Sequence, residues 1–301
     1  MPELEGIIRG TVRYNEDLSV HTSLRVGGRA RYFVIPEGID ELREILRFAV
    51  ARNLPWQIIG NGTNLIFPEV GYSGIIIQLG SGFRGRGLDL ERDRLRLGAG
   101  ENLQSVIHYL NRCYGSSPFD LLVGIPATIG GALIMNAGVP QGTIGDLVSW
   151  VRVVDRQGNP ICFSKQACGF SYRNSRFKQS HDLIIVEAEF VLSRRDNRLP
   201  SARTLLKQRM REQPLDEPSV GCIFKNPNHK LTAGQLIDKA GLKGYKVGRA
   251  AVSTKHANFI INEGGARSCD VLRLIEIIQE RVYERFGAEL EPEVEIVQQD
   301  F

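Results

Sequence analysis

The sequence contains no run of about 18 apolar residues, the length a helix needs to span a bilayer, so no membrane-crossing helix is expected. Its first residues, MPELEGIIRG, lack the basic start, long apolar core and small-residue cleavage site of an export signal. Cysteine is scarce: Cys113, Cys162, Cys168, Cys222 and Cys269 are odd in number and show no zinc-type pairing. Reduced thiols and no metal site are therefore expected. Charge of one sign is also in short supply, since 38 basic side chains face 34 acidic ones for a net +4. No basic run is interleaved with aromatics, which leaves no case for a nucleic-acid groove. These absences point to a cytoplasmic protein with no membrane or nucleic-acid partner, and no obligate protein partner is evident.

What is present is a chain of 301 residues, long enough for two or three compact domains. Thirty-two glycines imply tight turns and close backbone approaches. Residues 31–35 read as a strand, and Asp40 to Arg52 carries Leu42, Ile45, Leu46, Ala49 and Val50 at helical spacing. Pro55 to Ile59 reads as a strand running into a glycine-rich turn, and residues 65–67 as another. A strand near Leu95–Leu97 and a helix from Asn102 to Cys113 come next. Strands at 149–155, 160–164 and 183–192 complete a mixed region. The polar, proline-closed stretch from Arg194 to Pro200 is a plausible boundary. Beyond it are a basic helix (Ala202 to Arg211), a strand holding GCIFKN and a short helix (Thr232 to Ala240). Strands near 247–252 and 258–261 precede a long helix from Asp270 to Arg285, and LEPEVEIV forms a terminal strand. The long helix aligns Leu272, Ile275, Ile278, Val282 and Phe286 along one side. The chain thus divides into segment 1–26, a cofactor part 27–195 and a C-terminal part 196–301.

Two glycine-rich stretches stand out. The first, Gly60-Asn61-Gly62-Thr63-Asn64, follows a strand directly, where successive N–H groups can turn toward one anion. No helix opens after it, so it is not a Rossmann fingerprint; a tight hairpin turn is the competing reading. The second runs from Gly124 through Ile125, Pro126, Ala127, Thr128 and Ile129 to Gly130 and Gly131, continuing to Met135-Asn136-Ala137-Gly138. It suits a wall against a large planar or polyphosphate ligand, or else a buried β-turn. Two such stretches about 65 residues apart favour one long ligand such as a dinucleotide.

Three further positions carry chemistry. Arg173, within Phe170-Ser171-Tyr172-Arg173-Asn174-Ser175, could grip a carboxylate bidentately or sit at a strand end in solvent. Cys222, beside Gly221, is a thiol that either reacts or packs as a small hydrophobe. Glu293 opens an apolar strand, where its carboxylate is either solvated or put to use.

The motifs HTSLRVGG, GNGTNLIF, GIPATIGGALIMNAG, FSYRNSRF, QPLDEPSVGCIFKNP, VSTKHANFIIN and LEPEVEIV follow one another from about residue 14 to 298. In this order they closely resemble the UDP-N-acetylenolpyruvoylglucosamine reductase family, in its shorter subtype. The resemblance implies an α+β fold: a two-lobed FAD-binding domain of the vanillyl-alcohol-oxidase (PCMH) type plus a C-terminal α+β substrate domain. It implies bound FAD, held by Gly60, Asn61, Gly62, Thr63 and Asn64 on the pyrophosphate. Gly124, Ile125, Pro126, Thr128, Gly130 and Gly131 would line the rest, with Arg209 approaching the cofactor. NADPH is the implied co-substrate and a UDP-sugar the substrate. Arg173, Cys222 and Glu293 are the implied catalytic set, and Tyr172, Lys225 and Asn226 the implied substrate contacts.

The chain departs from the family pattern in three places. Cys222 stands where serine is usual, Val139-Pro140 replaces a tyrosine-bearing turn, and Glu295 occupies a position often held by arginine. Another FAD oxidoreductase on the same scaffold, a flavin-binding protein without activity, or a thiol hydrolase using Cys222, His256 and Glu293 are the competing functions. Colour separates the reductase, which purifies yellow and bleaches when NADPH is added without oxygen, from a colourless hydrolase, and turnover with the enolpyruvyl UDP-sugar then separates it from other oxidoreductases. A colourless preparation that binds no FAD on reconstitution would overturn the flavoprotein reading.

Overall fold

The computed structural model describes residues 4–180, 182–192 and 200–298. The expected boundary from Arg194 to Pro200, and with it a division at 195, lies outside the described residues apart from Pro200. Compactness groups the chain into two units. The first comprises residues 1–14, 32–61 and 74–207, and the second 15–31, 62–73 and 208–301. Helices and strands are mixed in both, as an α+β chain requires.

In the first unit an antiparallel sheet runs in the order Pro160–Ser164, Val148–Val154, Ile184–Val191, Arg94–Gly98, Arg86–Asp89. In the second strand of that order Val148, Val151, Val153 and Val154 are buried, while Arg152 faces out to Glu187 at 3.0 Å, as alternating sides of a strand allow. A second sheet, mostly of this unit, orders Thr11–Asp17, Arg29–Ile35, Tyr72–Gln78 and Trp56–Ile59. Its last two strands are parallel, with Trp56 opposite Ile75 and Ile59 opposite Gln78.

The helix Ile39–Ala51 buries Leu42, Ile45, Leu46, Phe48 and Ala49. Val50, which periodicity put on the buried face, is 68% exposed, and Phe48 packs in its place. The helix Leu103–Cys113 is capped by Asn102, whose side chain accepts the Ser105 amide at 3.1 Å. Leu103, Val106, Ile107 and Leu110 give it one apolar stripe. Phe119 and Phe190, both fully buried, meet edge to face at 5.2 Å within this unit's core.

In the second unit the antiparallel sheet order is Ser219–Cys222, Phe259–Asn262, Ala250–Val252, Lys246–Val247. The expected strand near 247–252 is therefore a hairpin of two short strands. The helix Ser268–Phe286 buries Val271, Leu274, Ile275, Ile278 and Val282. Leu272 and Phe286, expected on that stripe, are only partly buried beside it. Leu24, Val26 and Ile66 come from early in the chain and share this core. The terminal LEPEVEIV is regular strand only at Glu295–Ile296, parallel to Leu65–Ile66. Pro292, which lacks an amide, explains the irregular start.

Phe190→Ala should lower the unfolding free energy by about 3–5 kcal/mol. Urea denaturation checks this; a midpoint unchanged from the parent would mean that the ring is not part of the cooperative core.

Candidate active site

Within the first unit, Gly60 and Asn61 of the first glycine-rich stretch meet the second stretch. Asn61 Nδ2 donates to the Pro126 carbonyl at 3.0 Å, and Gln78 Nε2 to the Gly60 carbonyl at 3.0 Å. A Cβ on Gly60 would lie 2.4 Å from Thr128 Oγ1, so the approach is open only to glycine. The second stretch is not a β-turn. A helix, Ile129–Ile134, opens inside it with Thr128 as N-cap, Oγ1 accepting the Gly131 amide at 3.2 Å. Its two glycines hid this helix from propensity, and burial of Ile129, Ala132 and Leu133 outweighs their cost.

This wall is braced from behind. The Ile129 amide donates to the Glu101 carbonyl at 2.8 Å and the Gly130 amide to the Ala99 carbonyl at 2.9 Å. Gln104 accepts the Gly124 amide at 2.7 Å and donates to the Ile125 carbonyl at 2.7 Å. Glu101, 6% exposed, is held by Arg86 Nε and Nη2 at 2.9 and 2.6 Å. Several amides of this stretch are thus spent on the protein itself, so what it presents outward is shape more than hydrogen-bond donors. The sequence gives no sign of either role, because the Glu101 carbonyl and the Gln104 carboxamide both bond to backbone atoms of the stretch, which side-chain patterns do not reveal.

Arg173 lies in the same unit, in a turn closed by reciprocal Ser171–Asn174 backbone bonds of 3.0 and 3.2 Å. Its φ of +53° is left-handed, uncommon for a side chain of this size. Three bonds hold the turn. Asn136 Nδ2 donates to the Ser171 carbonyl at 2.9 Å, Ser175 Oγ to the Ile134 carbonyl at 2.7 Å, and Lys178 Nζ to the Arg173 carbonyl at 3.3 Å. The guanidinium reaches the Gly138 carbonyl at 3.3 Å and lies 5.6 Å over the ring of Tyr172, itself exposed. The arginine and the end of the glycine-rich stretch are therefore neighbours.

The second unit assembles the remaining residues by backbone bonds. The Glu293 amide donates to the Ile223 carbonyl at 2.7 Å, and the Ile223 amide to the Asn258 carbonyl at 2.9 Å. The Glu295 amide donates to the Asn64 carbonyl at 2.9 Å, and Asn64 Nδ2 to the Glu293 carbonyl at 3.4 Å. Cys222, Glu293 and Asn64 thus belong to three adjacent segments. Ser23, from HTSLRVGG, joins a further pair: its Oγ donates to the Ser219 carbonyl at 2.6 Å and lies 3.4 Å from that of Gly62. The motif was noticed in the sequence without a role for its serine.

The remaining expected residues are engaged as follows. Lys225 forms an ion pair with Glu291, and Asn226 Oδ1 accepts the Ala233 amide at 3.0 Å. Arg209 is half-buried on the helix Ala202–Glu212, which buries none of its residues fully. Among the thiols, Cys222 is half-buried, whereas burial pushes Cys168 up to about 11 and away from reactivity. His256, which a hydrolase triad would need, accepts the Asn258 amide on Nδ1 at 3.2 Å. Burial, then the Lys243 charge, holds its imidazole below the ordinary histidine range.

The described residues include no grouping of three or more His, Cys, Asp or Glu able to hold a metal ion, and no helix long and apolar enough to cross a membrane. A family model described as "FAD binding domain" matches residues 30–163. A Physcomitrella patens BBE-like 1 variant shares the fold, with a TM-score of 0.50 at 13% identity, over 96% of this chain and 60% of that one. Together with the paired glycine stretches, this defines an FAD-dependent oxidoreductase on a vanillyl-alcohol-oxidase-type scaffold with a further C-terminal region.

A second model, "UDP-N-acetylenolpyruvoylglucosamine reductase, C-terminal domain", matches residues 213–297. The UDP-N-acetylenolpyruvoylglucosamine reductase of Heliobacterium modesticaldum is 37% identical over 298 residues, 99% of this chain and 94% of that one. The enzyme of the same name from Caldanaerobacter subterraneus subsp. tengcongensis is 40% identical over 290 residues, covering 96% and 94%. The crystal structure of the Thermus caldophilus reductase matches with a TM-score of 0.78 at 33% identity, over 97% of this chain and 100% of that one. The chain belongs to the UDP-N-acetylenolpyruvoylglucosamine reductase family.

Gly62 tests the geometry of the first stretch. Its φ is +61° and an added Cβ would fall 2.0 Å from the His21 carbonyl. Gly62→Ala should cost about 1–3 kcal/mol of stability and lower the FAD that co-purifies. Parent-like melting and parent-like flavin content would show that the turn relaxes freely.

Proposed function

We propose that Arg173, Cys222 and Glu293 are the catalytic set of this chain's reaction, with Tyr172, Lys225 and Asn226 contacting the substrate. The chain is an FAD-dependent oxidoreductase that reduces the enolpyruvyl ether of UDP-N-acetylglucosamine to UDP-N-acetylmuramate with NADPH, in peptidoglycan precursor synthesis. The FAD-binding part is 27–195 and the substrate-binding part 196–301, acting in the cytoplasm on a small UDP-sugar without an obligate protein partner. Gly60 to Asn64, Gly124 to Pro126, Thr128, Gly130, Gly131 and Arg209 hold the cofactor. The close approach of Gly60 to Thr128, which a Cβ would close, is a surface suited to an extended dinucleotide. When bound by these residues, FAD would supply a two-electron relay between NADPH and the substrate.

The observation that most supports the catalytic set is the seam in the second unit. Glu293 bonds to Ile223, one residue from Cys222, and Glu295 bonds to Asn64 of the first glycine stretch. A thiol, a carboxylate and a cofactor-loop residue are thereby carried on adjacent backbone.

Each side chain has a distinct task. Addition to the terminal enolpyruvyl carbon drives negative charge onto the adjacent carboxylate. A guanidinium bound there stabilises that charge more in the transition state than in the ground state, which lowers the barrier. Arg173 is suited to this because its backbone turn is fixed by three side-chain bonds, so little reorganisation is needed. The neighbouring carbon then needs a proton. A thiol with a reference pKa of about 8.5 is mostly protonated at neutral pH and can donate one. Glu293 orients the substrate's acid group through a shared proton or water, since two bare carboxylates would repel.

Cys222→Ser should retain substantial turnover, because a hydroxyl can also donate. Cys222→Ala should leave bleaching by NADPH intact while slowing reoxidation by the enolpyruvyl substrate about 10²-fold or more, the usual contribution of a placed acid. Anaerobic stopped-flow absorbance separates the two halves. Parent-rate reoxidation in Cys222→Ala would remove the thiol from the mechanism.

A further inference from the structure

The motif VSTKHANFIIN contributes to the site through one residue that the reaction itself leaves unassigned. Asn258 is 4% exposed. Its Oδ1 accepts the Phe224 amide at 3.0 Å and its Nδ2 donates to the Phe224 carbonyl at 2.8 Å. Its own carbonyl accepts the Ile223 amide at 2.9 Å. The side chain therefore satisfies both backbone groups of Phe224, as a neighbouring strand would.

The need for it follows from the sheet. The strand Ser219–Cys222 pairs antiparallel with Phe259–Asn262, Ser219 opposite Ile261 and Cys222 opposite Phe259, with a register shift between them. Cys222 is the last paired residue, and beyond it the chain turns to a new partner. Ile223 then takes the Glu293 amide, Phe224 bridges Pro292, and the Lys225 amide donates to the Glu291 carbonyl at 2.9 Å. Cys222 thus stands where one pairing ends and another begins. At such a junction a side chain is aimed by whatever holds the next residues, and here that includes the Asn258 carboxamide.

We infer that Asn258 is a positioning residue: by clamping Phe224 it fixes the direction of the Cys222 thiol and the register of Glu293 beside it. This rests on Cys222 being the proton donor. Loss of the carboxamide leaves two buried backbone groups without their partner, and segment 222–225 shifts to recover other bonds. A shift on the order of 1 Å at a reacting group costs up to about 10²-fold. The cost falls on the step that needs the proton and spares the step that does not.

The test uses the FAD-loaded enzyme with Asn258→Ala and the isosteric Asn258→Asp, which keeps the acceptor and loses the donor. In anaerobic stopped flow, reduction by NADPH should stay within about 2-fold of the parent, whereas reoxidation by the enolpyruvyl substrate should fall about 10- to 100-fold. The Cys222→Ala/Asn258→Asp double variant should reoxidise no more slowly than Cys222→Ala, because a residue acting through the thiol has nothing left to position. Without turnover, the iodoacetamide alkylation rate of Cys222, read by mass spectrometry, should change in Asn258→Asp while those of exposed Cys113 and Cys269 do not. If both half-reactions fall together, or the two substitutions simply multiply, Asn258 is structural and the inference is overturned. Failure of both Asn258 variants to fold or hold flavin has the same meaning. If Cys222→Ala itself reoxidises at the parent rate, the donor assignment fails first, a result distinct from normal Asn258 variants beside a slow Cys222→Ala.

Discussion

A single amide, that of Glu293, donates to the Ile223 carbonyl at 2.7 Å, and the arrangement of the second unit depends on that bond. On one side it ties the carboxylate-bearing segment to the segment ending in Cys222. On the other, the same segment continues to Glu295 and Asn64, where a parallel pair with Leu65–Ile66 begins. Backbone bonds suit this task because they hold their direction whatever the side chains do. The side chains proposed to react can then be chosen for chemistry alone, and a cysteine can stand at position 222 without any change in how that position is held.

In the first unit the constraint is rigidity without bulk. A surface for a long flat ligand must come close, which calls for glycine, yet must not collapse, which glycine permits. At Gly124 to Gly131, the surface proposed for FAD, the chain meets both demands by support from outside. Gln104 holds the start, and the Ala99 and Glu101 carbonyls hold the amides that open the helix Ile129–Ile134. The Arg86–Glu101 pair keeps that support in place, with a mostly buried carboxylate satisfied by the guanidinium and by the Gly85 amide at 3.1 Å.

Local pattern made much of this legible. The helices Ile39–Ala51, Leu103–Cys113 and Ser268–Phe286 follow from apolar spacing, and the strands Val148–Val154 and Ile184–Val191 from β-branched runs. Individual faces were less certain, because a shift of one residue moves Val50 from core to solvent and Phe48 inward. The helix inside the second glycine stretch was hidden, since two of its six residues are glycines, poor helix formers whose cost tertiary packing overrides. Among the residues proposed for the site, Arg173, Cys222 and Glu293 stand out through the ordered motifs that contain them, since each taken alone also suits a structural role. Ser23, Glu101, Gln104 and Asn258 were not assigned, because each acts on main-chain atoms far away in sequence, which composition and spacing do not encode.

The composition of the second unit has a consequence for its assembly. Leu24, Val26 and Ile66 pack with Val282, Leu290 and Val294, and the Leu24 carbonyl accepts Asn262 Nδ2 at 2.9 Å. On a ribosome, an emerging chain exposes residues 15–31 and 62–73 long before their partners exist. Such distant pairings are slow to close and leave apolar surface bare meanwhile. This protein's early segments must wait for nearly the whole of translation, so its vulnerable interval is birth rather than catalysis.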